Sequence, residues 1–588
     1  MKSCRARWKG GLVRIAFVCP SCEKAFDEQA GPFGTGVTMQ AVNEAFSEQK
    51  WSRLVEVGVL TIPGIILVSC QMAEPKVETP PPAIASTPAV ELVAGADTPL
   101  YALTLKPEVD ENGVVEAIEV SSQLTGGLAE GEERLKLFAP VVYVNVMGIA
   151  DRVTELDVRD ASGSIDFTIE EDDPVPGGYP YFRHWTAKRD VTFPVSINYR
   201  ALVQPEGGPG GPAFGIRPSA GGISGAGAGF MLVPSNAASQ ESILEWDLSG
   251  FDQPSLGVTT FGDGRAVVEG PPPAIMQGWY MAGPVEHYPD DVTEGDFHAY
   301  WLGDFPFDER EGMSFTAKMY DYFEGYFEHL DPAPEYRVFM RLLQTPPYGG
   351  GTALANSFML SRGPVQPEEE KNEDYGDIRM VFVHELLHQW VGSVEGGSID
   401  ENWWSEGLTT YYQYTLPFKA GEIAFEEYVE GINRLSRNLY TNPGRDWSIA
   451  EIKKVGFDDN DIRHVPYQRG ALYFADLDAR IRAASGGERD LHSFLSDVFV
   501  ARETGDIALT PDKWRELVRE QTGEDETAFH KALHVDGMVF FPAAGSFGPC
   551  VVGERVTLER DGESFDAMQW LPASDADPKT CRFVTNED

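Results

Sequence analysis

Basic residues are scarce in this chain. Its 588 residues include 47 Lys and Arg against 92 Asp and Glu, a formal charge of −45. Phosphate binding needs a basic footprint, so nucleic acid is excluded as a partner, and an anionic membrane surface is disfavoured. Acidity of this size serves solubility, including in a salty environment. Cysteine is also sparse, at positions 4, 19, 22, 70, 550 and 581. The single CxxC at 19–22 has no second pair, which argues against a zinc ribbon. Cys550 and Cys581 lie in one C-terminal segment and could form a disulfide in an oxidising compartment. There is no series of long apolar runs, so the body of the protein is expected to be soluble. The glycine-rich stretch 204–229 lacks the strand–GxxxxGK–helix context of a phosphate cradle and reads as a loop.

The length implies two or three domains. Residues 1–49 carry no pattern. Lys50 to Arg53, the apolar run that follows, and Leu67-Val68-Ser69-Cys70 resemble a bacterial lipoprotein signal, with Cys70 as the acylated residue. The Pro, Ala and Thr of 71–98 read as a tether. An exported protein of the periplasm or cell envelope is therefore expected, with a lipid anchor at Cys70. From 99 to 285 short alternating strands separated by Gly, Asp and Pro predict a β-sandwich-like domain. Helical periodicity begins near 286 and runs to 535, with helices expected at 313–330, 378–391, 423–440, 467–484 and 511–521. A strand is expected at 336–343. Residues 536–588 look β-like and irregular.

The stretch 380–414 carries the chemistry. If 378–391 is helical, His384 and His388, four apart, face the same way and present two imidazoles to one ion. Asp377 suits the start of that helix and Gly392 its stop, with Met380, Val381, Leu387 and Val391 on the buried side. Glu406, in the first turn of a helix starting near Ser405, would be the third ligand. Zinc takes nitrogen and oxygen ligands, and a catalytic site uses three from the protein and leaves one position to water. Glu385, too close in sequence to reach the same ion, is placed to take the proton of the activated water and pass it to a leaving amine. These parts make a hydrolase with one Zn²⁺.

Five motifs then resemble one family: GGGTALANSF at 349–358, HELLHQW at 384–390, WWSEGLTTYY at 403–412, NPGRDWS at 442–448 and VPYQRGALYF at 465–474. Together they are similar to the gluzincin metallopeptidases, and within them to the glycyl aminopeptidases. The resemblance implies an α+β protein, a β-sandwich-like domain followed by a thermolysin-like, mainly helical zinc-peptidase domain, acting on peptides or proteins. It assigns oxyanion stabilisation to Tyr467, whose phenol would donate to charge that appears only in the transition state. It lays substrate along Gly349, Gly350, Gly351, Thr352 and Ala353. At the last of these the family carries a glutamate that grips a free α-amine, and alanine stands there instead. The gap between His388 and Glu406 is one residue shorter than usual, and the C-terminal stretch is too short for the PDZ-like domain common in the family. An aminopeptidase-like peptidase is the leading expectation. An endopeptidase on the same scaffold, and a surface lipoprotein that binds peptides without cutting them, are the alternatives. Oligomeric state is not legible.

Overall fold

A computed structural model describes residues 100–588 apart from 176–177, 208–210, 293–294, 328–329, 331–334, 347, 349, 365–377, 395–401, 457–458, 575–580 and 582–588, together with four strands near the N-terminus. Those four form two antiparallel pairs, Lys2–Trp8 with Gly11–Phe17 and Val55–Ile62 with Ile65–Met72, in a unit spanning Met1–Glu91. Cys70 falls on the last strand, with its side chain outside the described residues. Residues 73–99, which hold most of the expected tether, lie outside the described residues.

Leu92–Asp588 is one compact unit. Its N-terminal part is β-rich, as the alternation predicts. A seven-stranded sheet and a five-stranded sheet share one apolar core, in which Leu103, Val120, Leu137, Ile197 and Leu244 are all at 2% exposure or less. Residues 136–143 form a single strand, Lys136–Tyr143, that continues through Pro140.

The stretch 204–229 corrects the expectation of a loop. It contains strands Arg217–Ser219 and Gly222–Ala226 and the helical turn Gly227–Gly229, part of a further five-stranded sheet with Trp279–Gly283, Leu256–Thr259 and Gly262–Asp263. The glycines here serve close packing. A Cβ on Gly225 would lie 2.7 Å from the Ile216 Cα, and one on Gly229 would lie 2.1 Å from the Phe214 carbonyl oxygen. The buried Arg341 guanidinium donates to the carbonyls of Gly215, Ser224 and Ala213, so polar backbone at this depth is satisfied from the next sheet.

That next sheet runs Glu286–Tyr288, Phe297–Leu302, Tyr336–Leu342, Ser357–Arg362 and Gly351–Leu354, with three central parallel strands and Gly351–Leu354 at its edge. Both faces are covered, which is why the inner strands read as continuous apolar runs. Tyr300, Leu302, Phe339 and Met359 face the β-rich part, whereas Ala299, Trp301, Val338, Met340, Phe358 and Leu360 face the helices.

The first long helix is Glu309–Tyr326, not 313–330. Asp308 caps it by accepting from the Glu311 N–H, so it starts a turn earlier than its aromatic face suggests. Then come helices Ile378–Val391, Asn402–Ala420, Phe425–Tyr440, Val465–Ala484 and Pro511–Thr522, the last with Thr510 as cap. Helices Ile449–Val455, Asn460–Arg463 and Leu491–Glu503 were not expected. Beyond 536 a hairpin of Val551–Arg560 and Glu563–Pro572 packs on the helices, and Cys550 and Cys581 are joined in a disulfide. Among the described residues, no helix is long and apolar enough to cross a membrane.

Candidate metal centre

Helix Ile378–Val391 has the predicted bounds, and Gly392 ends it in a left-handed conformation (φ +61°). Asp377, expected as its cap, lies outside the described residues. The helix buries Phe382, Val383, Leu386 and Leu387. Val381, expected on that side, is half-buried and lines a cavity.

Glu406 comes from a helix already formed at Asn402, so it lies past the first turn in which it was expected. A hydrogen bond sets the register between the two helices: the Ser405 hydroxyl donates to the Gly392 carbonyl at 2.7 Å. The end of one helix is thus tied to the residue before the third candidate ligand, Glu406. The shortened gap falls largely on 395–401, outside the described residues.

The three side chains converge. Nε2 of His384 is 3.1 Å and Nε2 of His388 is 3.3 Å from the same oxygen, Oε2 of Glu406. One donor atom from each residue fits within 4.8 Å of the others. His384 Nδ1 is 3.1 Å from Gln413 Oε1, an atom that only accepts. Nδ1 therefore carries the hydrogen in a neutral ring, and Nε2 turns a lone pair toward a carboxylate oxygen. Two acceptors face each other across a gap, an arrangement that a cation resolves. Burial opposes charge on Glu406, but the His388 and His384 imidazoles, when protonated in place of binding a cation, outweigh it and hold that carboxyl well below the ordinary range. The donor set of two imidazoles and a carboxylate fits zinc.

Glu385, 8% exposed, points to a different neighbour. Its carboxylate receives the backbone N–H of Ala353, on the edge strand. Burial pushes its pKa up to about 7; His384 pulls against this and Glu406 adds to it.

Tyr467, in the first turn of Val465–Ala484, stacks its ring on that of His384 at 6.0 Å between centroids. Its hydroxyl hydrogen-bonds Glu406, and burial followed by that carboxylate drives its pKa far upward. The motif residues border a cavity of about 960 Å³ that is also lined by Gly350, Gly351, Thr352 and Ala353. Gly349 lies outside the described residues.

Several neighbours were missed. Gln413 is seven residues beyond Glu406, on the same face of the helix, and that spacing could have pointed to it. Gln389 reaches the turn at the end of the edge strand, with its Nε2 3.0 Å from Asn356 Oδ1. Arg463 and His464 stand beside Tyr467, four and three residues before it, a spacing that could have pointed to them.

A crystal structure of an aminopeptidase N family protein from Idiomarina loihiensis aligns with 77% of this chain and 79% of its own, at a TM-score of 0.57 and 15% identity. The β-rich part followed by a helical part is thus a fold shared with that protein. Yeast LTA4 hydrolase in complex with bestatin aligns more loosely, over 75% of this chain and 68% of its own, with TM-score 0.43 and 16% identity.

Residues 377–464 match the model of the M61 glycyl aminopeptidase family, the family that the motifs resemble. Among curated proteins, glutamyl aminopeptidase of Bos taurus is 27% identical over 104 residues, 17% of this chain and only 10% of that protein's length.

Proposed function

We propose that this chain is a zinc-dependent peptidase built on a thermolysin-like helical half. The observation that carries the reading is the meeting of His384, His388 and Glu406 within 4.8 Å, with Glu385 and Tyr467 on the rim of the same cavity. When bound, a divalent ion supplies a Lewis acid that polarises a carbonyl and makes water acidic near neutral pH.

The chain's own residues do the rest. Gly351–Leu354 lies at the edge of its sheet, where an extended peptide adds as a further strand. Glu385 is held against that strand by the Ala353 N–H, close to where the scissile bond would lie. A carboxylate so placed accepts the proton of the attacking water and returns it to the leaving nitrogen. Tyr467, kept as a neutral phenol, donates to the oxygen that becomes charged.

The matched family, the bovine relative and the Idiomarina loihiensis protein are aminopeptidases by name, and an aminopeptidase-like activity is the first expectation. One observation favours an endopeptidase instead. Among the described residues lining the cavity, the only carboxylates are Glu385 and Glu406, both committed to chemistry. With alanine at 353, no other acidic group there meets a substrate ammonium.

The apolar run ending at Cys70 and the Cys550–Cys581 disulfide together support an exported, lipid-anchored protein.

The test is peptide hydrolysis with free and acetylated N-termini, with and without chelator, for the wild type and Glu385→Gln. Chelator-sensitive cleavage is expected. Glu385→Gln should keep its zinc and lose at least ~10²-fold in rate, the scale of a removed general base. Equal rates on acetylated peptides would identify an endopeptidase. A protein that binds peptides and zinc but cuts neither substrate would be a binding module.

A further inference from the structure

Tyr467 does not stand alone. Arg463, the last residue of helix Asn460–Arg463, directs Nη1 at the Tyr467 hydroxyl oxygen at 3.3 Å. The guanidinium is fixed from behind. Its Nε and Nη2 both donate to Asn460 Oδ1, at 3.2 and 2.9 Å, and Nη2 lies 3.4 Å from His464 Nε2. Asp459 caps the short helix by accepting from the Ile462 N–H, which anchors the turn carrying both Asn460 and Arg463.

A guanidinium has five donors and no acceptor. The phenol oxygen must therefore accept from Arg463, and the phenol's own hydrogen must point elsewhere. Here it goes to Glu406, beside the two imidazoles. An unassisted phenol rotates its hydrogen between partners, whereas this one has a single direction left, into the cavity. The positive charge also withdraws density from the oxygen, which strengthens the donor.

We propose that Arg463 is a positioning residue for Tyr467: it occupies the phenol's acceptor side so that the hydroxyl proton faces the oxygen that becomes negative during peptide hydrolysis. This rests on the peptidase reading above and adds a second residue to its oxyanion site. Asn460 is the brace that gives Arg463 its orientation.

The experiment is a double-mutant cycle on the zinc-loaded full chain: wild type, Arg463→Met, Tyr467→Phe and the double variant, with Arg463→Lys alongside. Zinc content and circular dichroism are recorded for each. Binding of a peptide phosphonate, an anionic tetrahedral mimic, is measured by calorimetry as a readout independent of turnover. Arg463→Met should lower kcat by ~10-fold with KM within about twofold, an interaction made only in the transition state. It should also weaken the phosphonate by a similar factor. Arg463→Lys should recover part of both. In the Tyr467→Phe background, Arg463→Met should change neither by more than about twofold.

Full additivity in the cycle, or a raised KM with kcat kept, would overturn the proposal, because Arg463 would then meet substrate directly. Loss of zinc or of fold in Arg463→Met, with Arg463→Lys no better, would overturn it too. The function itself is judged separately in the same assay. If wild-type cleavage is chelator-sensitive and lost in Glu385→Gln, an additive cycle removes only the role of Arg463. If the wild type cuts nothing, both readings fall.

Discussion

Gly351 and Glu385 touch: a Cβ built on Gly351 would stand 2.3 Å from Oε1 of Glu385 and 2.6 Å from its Cγ. The glycine is there for space, since its backbone is not in the left-handed region. Any side chain at 351 has to move the carboxylate, and a residue 8% exposed has little room to yield. Gly351→Ala is therefore expected to lower kcat by ~10²-fold, the cost of a misplaced catalytic group. Zinc content should be unchanged, because the edge strand supplies none of the three proposed ligands. An alanine variant with wild-type kcat would show that Glu385 is not held where this packing puts it.

Gln413 acts through His384. Its Oε1 lies 3.1 Å from Nδ1 and thereby selects the tautomer whose Nε2 can bind a cation. Removing such a partner typically costs 10- to 100-fold in metal affinity. Gln413→Leu, of similar size but without an acceptor, should raise the zinc dissociation constant by about that factor in a competition titration with a chelating dye. Folding in excess zinc should be retained. Unchanged affinity would mean that the imidazole is oriented by its packing against Tyr467 alone.

Much of this centre could be read from the chain because its parts are local. His384 and His388 are one turn apart, and Glu406 follows close by in the sequence, within the WWSEG stretch of the next helix. The disulfide partners were also legible, as two cysteines in one short segment. The errors have physical causes. Residues 204–229 read as a loop because glycine is scored as flexible, but at Gly225 and Gly229 it allows backbone to pack on backbone. Helices Ile449–Val455 and Asn460–Arg463 are too short for a clear period, and their caps, Ser448 and Asp459, are the only local marks. Arg463 was missed because its value lies in a contact with a different helix. It stands only four residues before Tyr467, but the break between the two helices at His464 hides that spacing.

Acid should attack the helical half through Glu526. Its carboxylate, 3% exposed, accepts from Tyr473 Oη at 2.6 Å and Arg480 Nη2 at 2.5 Å, with His530 Nε2 3.1 Å away. Burial works to raise its pKa, but His530, Arg480 and Tyr473 together bring it below the ordinary 4.5. A folded-state pKa below the unfolded one means that the unfolded chain takes up the proton first. The stability this group contributes is present above pH 4.5 and is lost as pH falls through the depressed value. Urea unfolding of the wild type should thus steepen in its pH dependence below about 4.5, by up to ~1.4 kcal/mol per pH unit for one proton. Glu526→Gln should be less stable at neutral pH and shallower in slope. Identical slopes would assign the acid transition to other carboxylates.

The glycines after Glu406 and after Tyr467 meet each other. Gly407 and Gly470 lie where helices Asn402–Ala420 and Val465–Ala484 cross: a Cβ on Gly407 would be 2.5 Å from the Gly470 Cα, and one on Gly470 would be 2.1 Å from the Trp403 carbonyl oxygen. The crossing brings a proposed metal ligand and the proposed oxyanion donor together, since each precedes its glycine by one and three residues. Backbone lies on both sides, so an added methyl group cannot be absorbed by a rotamer change. Gly470→Ala must part the helices, and overpacking of this kind typically costs 1–3 kcal/mol. Alanine's better helix propensity returns only about 1 kcal/mol at most. The expected outcome is a lower urea midpoint for the metal-free protein and a weaker zinc affinity, because Glu406 moves with its helix. Glycine-to-alanine exchange at Gly325, where a Cβ meets nothing within 4 Å, should leave both unchanged or slightly improved. If Gly470→Ala matched that control, the two helices would not be in the contact that places Glu406 beside Tyr467.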